Sequence, residues 1–330
     1  MKDTIKQLVE AYGPAGREEQ VAKYLASVME ELVDKVYTDE LGNVIAVKQG
    51  PASAKKVMLA AHMDEIGVIV TDIDDNGFLR FSNLGGVSPH TLIGQRVRFA
   101  DGTVGVFGQE KLDNIKDLKL NKMYIDIGVT SREEANAKVS IGDAAVYHRE
   151  FSQQGSRIVA KSLDNRISCA VLIEVAKRLK NSPHEVYLVF TAQEEVGLRG
   201  ARTAAYTLDP DYGIAVDVTA TGDTPEAPRM AVSLGKGAAI KVKDASVISH
   251  PLVKNLLVNT AQAHDIPYQM EVLEWGGTDA GSIHLTRSGI PTGAVSIPCR
   301  YIHTPSEMVD LGDVEHCVQL LVGVLEGPLP

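Results

Sequence analysis

Five short stretches of the chain break an apolar run on a histidine or a carboxylate. "VMLAAHMD" ends in His62 and Asp64, and "SLDNR" opens a helix with Asp164. "VYLVFTAQEE" ends in Glu194 and Glu195, "YGIAVDV" holds Asp217, and "PTGAVSIPCRYIH" runs on to His303. Singly, each has an ordinary explanation. Asp164 reads as a helix N-cap, His62 and His303 as structural histidines, and Glu194–Glu195 as a solvated turn. Asp217 resists such a reading, because a carboxylate between Val216 and Val218 in an apolar strand needs a compensating partner. Taken together the residues fit a pair of metal ions. Histidine nitrogen with carboxylate oxygen suits zinc or a similar divalent ion. A dinuclear centre needs a bridging carboxylate and about two further protein ligands per metal. His62, Asp164, Glu195, Asp217 and His303 supply five, with room left for a shared water. Asp64, two residues past His62, is placed to hold the second imidazole nitrogen. Glu194 is then free as a base beside that water. The HExxH pattern of single-zinc proteases is absent.

These residues need a frame that delivers them to one edge. "KDTIKQLVEAYG" and "REEQVAKYLASVMEELVD" have helical spacing, "KVYTDELGNVIAVKQG" reads as a hairpin turning near Gly42–Asn43, and "KKVMLAAHMD" as a strand. After Asp164, strands and helices alternate to the end. "DNRISCAVLIEVAKRLKN" is helix, "HEVYLVFTAQ" strand, "VGLRGARTAAYTL" helix and "DYGIAVDVTA" strand. "HPLVKNLLVNTAQAHD" is helix, "YQMEVLEW" strand, "TDAGSIHLTRSG" helix, "PTGAVSIPC" strand and "GDVEHCVQLLVGVLE" a closing helix. The expected fold is α/β, with a mixed, mainly parallel sheet between layers of helices. Such sheets bind ligands beyond the carboxyl ends of their strands, where the five stretches stand.

Between about Val68 and Val159 the texture changes to short alternating segments separated by Asp-Gly, Asn-Gly and Gly-Gly turns. That is the pattern of a small β-barrel or sandwich. The expected division is an α/β domain of residues 1–67 and 160–330, interrupted by an all-β domain of residues 68–159.

Composition narrows the function classes. The chain has 330 residues, 44% of them apolar, and a formal net charge of −10, which argues against a nucleic-acid or anionic-membrane partner. Its three cysteines, Cys169, Cys299 and Cys317, form no CxxC pair or disulfide framework, and no segment reads as a signal peptide or membrane span. A cytoplasmic location is expected.

The stretches "AAHMDEIG", "SLDNR", "FTAQEEVGLRGA", "AVDVT", "WGGTDAG" and "IPCRYIHTPSEM", in this order, resemble the tetrahedral aminopeptidase family nearly end to end. These are co-catalytic metallo-aminopeptidases, including glutamyl and deblocking aminopeptidases, on a zinc-exopeptidase-like fold. The resemblance implies that His62 and Asp217 bind one metal, Glu195 and His303 the other, and that Asp164 bridges them. It makes Glu194 the general base and Asp64 the residue that supports the first histidine. It implies two divalent ions, zinc or cobalt, acting on peptides with a free N-terminus. Glu194 takes a proton from the bridging water and later returns it to the leaving amine. It also implies that the inserted domain mediates dimerisation and that dimers build a tetrahedral dodecamer around a chamber. "WGGTDAG" reads either as a wall of the substrate pocket or as a tight turn.

Rival chemistries have less to stand on. A glycosidase, the endoglucanase label that some members carry, needs two carboxyls roughly 5–9.5 Å apart and leaves His62 and His303 without a task. A deacylase or carboxypeptidase using the same metals is closer, and a non-catalytic metal-binding protein leaves Glu194 unexplained. The preferred N-terminal residue is open. Arg300, near His303, either attracts acidic side chains or pairs with a carboxylate of the fold.

Overall fold

The computed structural model describes the whole chain, residues 1–330. Its frame is an eleven-stranded sheet. At the centre lie four strands, Glu185–Thr191, Lys56–His62, Tyr212–Thr219 and Thr292–Arg300, paired in parallel in that order. They are nearly continuous runs of buried apolar residues because helices cover both faces. Both flanks are antiparallel. On one side the hairpin of Lys35–Thr38 and Val44–Lys48 extends the sheet, and its turn uses Gly42 at φ +100°. On the other side come Glu307–Asp310, Arg157–Ala160 and Ser152–Gln154. Two more strands, Ala238–Lys243 and Tyr268–Val272, branch from Thr292–Arg300.

The helices are fixed by their apolar spacing. Lys2–Glu10 buries Ile5, Leu8 and Val9, and Glu19–Met29 buries Val21, Leu25 and Met29. Leu163–Arg178 is buried along almost its whole length, since it packs between the sheet and the helices Lys2–Glu10 and Leu311–Glu326. The opposite face of the sheet carries Arg199–Leu208, which packs through Ala201, Ala204, Ala205 and Leu208, spaced for close approach. "TDAGSIHLTRSG" forms only the single turn Ala280–Ile283, because Arg287 at φ +54° and Gly289 at φ +102° turn the chain back.

Six strands between Gly67 and Tyr147 close into a separate small barrel with its own core, in which Phe81 and Phe107 meet edge to face at 5.2 Å. The turn residues do the work their types suggest. Asp74 accepts the N–H groups of Asn76 and Phe78 at 2.9 and 3.0 Å, and Gly77 supplies φ +88°. Residues 152–160 alternate like the barrel segments, yet they form the hairpin that widens the large sheet. Alternation records one buried face and does not say which sheet buries it.

Candidate active site

Parallel register aligns the ends of the central strands. His62 stands opposite Thr191, and Ala60 pairs with Ala215, which brings Asp217 level with His62 on the far side. Asn165 donates from its Nδ2 to the Val216 carbonyl at 2.9 Å, and so ties the start of the Leu163 helix, with Asp164, to the Asp217 strand. The loop after Thr191 is held from three sides. Asn43 Oδ1 accepts the Ala192 N–H at 2.9 Å, Glu18 accepts that of Gln193 at 3.0 Å, and Asp64 accepts those of Glu194 and Glu195 at 3.0 and 3.1 Å. Five of the nine non-glycine residues with positive φ, Ser162, Gln193, Leu198, Tyr301 and His303, flank this region. Each such residue costs on the order of 1–3 kcal/mol and persists only where its surroundings over-determine it.

The result is a cavity of about 660 Å³ whose wall includes His62, Asp164, Glu194, Glu195, Asp217 and His303. All six meet there. Asp164 lies between the two histidines, with Oδ1 at 3.1 Å from His62 Nε2 and Oδ2 at 3.2 Å from His303 Nε2. Glu195 Oε2 lies 3.4 Å from His303 Nε2. Glu194 Oε2 and Asp217 Oδ1 are each 3.8 Å from His62 Nε2. Donor atoms of His62, Asp164 and Glu195 fall within 4.8 Å of one another, as do those of His62, Glu194 and Asp217. Asp64 sits behind His62, its carbonyl at 3.2 Å from Nδ1 and its carboxylate at 3.5 Å. Its two oxygens thus serve mainly the Glu194–Glu195 backbone.

Crowding of like charge sets the protonation. Burial raises the Glu194 carboxyl well above the usual range, and Asp217, Asp279 and Glu195 add to it against the His62 charge. Burial also lifts Asp217 and Glu195. For the histidines burial works the other way but loses to the acids. Glu194, Asp164 and Asp64 hold His62 well above its ordinary value, and Asp164 with Glu195 brings His303 up to about 12. Burial opposes ionisation of Asp164 too, but hydrogen bonds from both histidines outweigh it and keep this carboxylate charged. Ionising all four carboxylates beside two imidazoles would leave an excess of negative charge, burial pushes three of them up, and Glu195 Oε1 is buried with no hydrogen-bond partner. Divalent cations would supply what is missing. The donor set of nitrogen and carboxylate oxygen fits them.

Several supporting residues have no role assigned by the sequence pattern. Glu307 is buried and accepts the N–H of Asp164 at 2.9 Å and that of His303 at 2.8 Å, one on each oxygen. Glu65, next to Asp64, receives Lys161 Nζ at 2.6 Å and lies 3.4 Å from Arg166, whose guanidinium also caps the carbonyls of Leu8 and Gly13. Asp279 of "WGGTDAG" accepts the Thr191 hydroxyl at 2.5 Å, and Trp275, Gly276 and Gly277 of the same stretch line the cavity. For Glu307, Glu65, Lys161 and Arg166 the only available signal was position, two to four places from an inferred ligand, and for Asp279 it was membership of the "WGGTDAG" stretch. The barrel reaches the site as well. A Cβ on Gly86 would stand 2.4 Å from His303 Nδ1, and one on Gly85 3.0 Å from Glu195 Oε2.

A sequence profile of the M42 glutamyl aminopeptidases matches residues 42–320. The chain belongs to the M42 glutamyl aminopeptidase family. Lysyl aminopeptidase of Pyrococcus furiosus is 36% identical over 338 residues, spanning 98% of this chain and 96% of the relative. An aminopeptidase structure from Desulfurococcus kamchatkensis superimposes with a TM-score of 0.95 at 40% identity, covering 99% of this chain and 95% of that one. The TET1 peptidase of Pyrococcus horikoshii, described as assembling into a tetrahedron or a large octahedral shell, has a TM-score of 0.88 at 32% identity, with 99% of each chain covered. The membership makes this chain a peptide hydrolase, a metal-dependent aminopeptidase, on the zinc-exopeptidase-like fold.

Proposed function

We propose that the chain removes single N-terminal residues from peptides, with Glu194 as general base and two divalent ions, zinc or cobalt, held by His62, Asp164, Glu195, Asp217 and His303. One observation carries this reading. The Asp164 carboxylate is divided between His62 and His303, one oxygen to each, as a group shared by two adjacent donor sets is. His62 and Asp217 complete one set, Glu195 and His303 the other. Bound ions of this kind lower the pKa of water and polarise a carbonyl oxygen.

The residues of the chain do the rest. Asp217 is fixed within a strand and accepts its neighbour's N–H at 2.8 Å, as suits a ligand. Glu194 stands on the loop after its strand, its side chain facing the cavity, as suits a group that must reach a water and a leaving amine. It takes a proton from the attacking water and delivers it to the amine nitrogen as the peptide bond breaks. Acid-lined walls attract the α-ammonium of a peptide, so the cut falls after the first residue. Asp64 supports this arrangement through the Glu194 and Glu195 backbone and the Nδ1 side of His62.

In this reading the α/β part, with residues 152–160 paired into its sheet, forms the catalytic domain, the barrel within residues 68–159 forms the dimerisation domain, and dimers assemble into a tetrahedral dodecamer. The buried free thiols of Cys169, Cys299 and Cys317 suit a reducing cytoplasm. No helix is long and apolar enough to cross a membrane. The test compares two neighbouring variants. Glu194→Gln keeps both ions and loses kcat by about 10²–10⁴-fold or more. Glu195→Gln lowers metal content at one site and regains part of its activity in excess metal. Metal loss in the first with retention in the second reverses the two roles, and full activity in both removes the assignment.

A further inference from the structure

The family is named for glutamyl residues, and a relative for lysyl ones, so the charge that this cavity accepts is an open property of the chain. Outside the six residues of the acid–histidine cluster, its wall carries one charged side chain, Arg300. Arg300 closes the strand Thr292–Arg300, three residues before His303, and is where an acidic substrate side chain would find a partner.

That partner is taken. Arg300 donates from Nε to Asp223 Oδ1 at 2.9 Å and from Nη2 to Asp223 Oδ2 at 2.8 Å, the two-pronged geometry in which guanidinium and carboxylate satisfy each other. Asp223 is held in turn by the Leu234 N–H at 2.9 Å, so it cannot swing away without losing a backbone bond. The pair is about three-quarters buried, with side-chain exposures of 26% and 20%. An acidic side chain entering here meets a neutral pair. A lysine finds no carboxylate on the wall outside the acid–histidine cluster, where the α-ammonium and the reacting peptide bond are held. The remaining wall is apolar or uncharged, with Leu198, Leu273, Trp275 and Ile302 among its residues. A charge brought into such a wall loses its water and gains no counter-ion.

We infer that the cavity takes peptides whose first side chain is uncharged and apolar, and that Asp223, by occupying Arg300, is the residue that removes acidic residues from the substrate class. This rests on the aminopeptidase reading and adds to it a named specificity determinant.

The experiment is a panel of leucyl, glutamyl and lysyl p-nitroanilides with the metal-loaded wild-type protein. The leucyl substrate should exceed both others by at least about tenfold in kcat/KM. Asp223→Asn keeps the side-chain shape but frees the Arg300 charge, and should raise the glutamyl-to-leucyl ratio of kcat/KM by about tenfold. Adding Arg300→Gln to that variant should return the ratio to the wild-type value, which loosened packing would not do. Wild-type preference for the glutamyl or lysyl substrate overturns the inference while leaving the aminopeptidase reading intact. A ratio unmoved by Asp223→Asn overturns the role of Asp223. Cleavage of none of the three overturns the aminopeptidase reading, and this inference falls with it.

Discussion

Asp64 and Glu307 direct both of their carboxylate oxygens at backbone N–H groups, and between them they fix four of the residues around the cavity. Asp64 holds Glu194 and Glu195, and Glu307 holds Asp164 and His303. Burial and the nearby Asp164 raise the Glu307 carboxyl well above the ordinary range, so its position is costly and the two N–H bonds must offset it. In Glu307→Gln the amide nitrogen cannot accept, and one of the two N–H groups is left unpaired. The expected outcome is a metal affinity about 10–100-fold weaker with the fold retained, read by calorimetric titration of the metal-free protein with zinc. An affinity equal to wild type would show that the clamp is not what orients the ligands. The residue scale is also where the sequence is least legible. The histidines and acids at strand ends announce themselves because they interrupt apolar runs. Glu307 accepts a bond from a residue 143 positions away, and the Arg300–Asp223 pair spans 77. No local pattern records such a contact.

Elements were legible where their periodicity was strong. The four parallel strands read as apolar runs, and the helices Lys2–Glu10 and Arg199–Leu208 as spaced apolar faces. Ala238–Lys243 and Glu307–Asp310, each paired on both sides in the large sheet, were harder to see because they are only six and four residues long. Residues 152–160 shared the texture of the barrel while belonging to the large sheet. The barrel also bears on the chemistry more than its lack of ligands suggests. Gly85 and Gly86, directly after its strand Leu79–Leu84, lie against Glu195 and His303. Gly86→Ala puts a methyl 2.4 Å from the His303 ring, which must move. A displacement of this order costs about 10²-fold in rate when it misplaces a catalytic group. Kinetics and metal content should fall together, with the circular dichroism spectrum unchanged. Wild-type kinetics in this variant would mean that the loop gives way instead of the histidine.

At the scale of the whole molecule, the sheet gathers the site, and the barrel, a closed body with its own core, touches it through Gly85 and Gly86 after the strand Leu79–Leu84. Exposed Val104, Val106 and Ile115 on the barrel are apolar groups of the kind an interface covers. Light scattering should report a twelve-subunit particle, and Val106→Asp should shift it toward smaller species. Monomer at every concentration, with metal present, would contradict the proposed assembly. The most direct test of the central claim uses mass spectrometry. A mixed-sequence peptide is supplied with a free or an acetylated N-terminus, to protein that has been stripped of metal or reloaded with zinc or cobalt. The prediction is stepwise loss of residues from the free N-terminus by the reloaded protein alone. Cleavage of the acetylated peptide, loss from the C-terminus, or equal cleavage by protein shown by elemental analysis to be metal-free would contradict it.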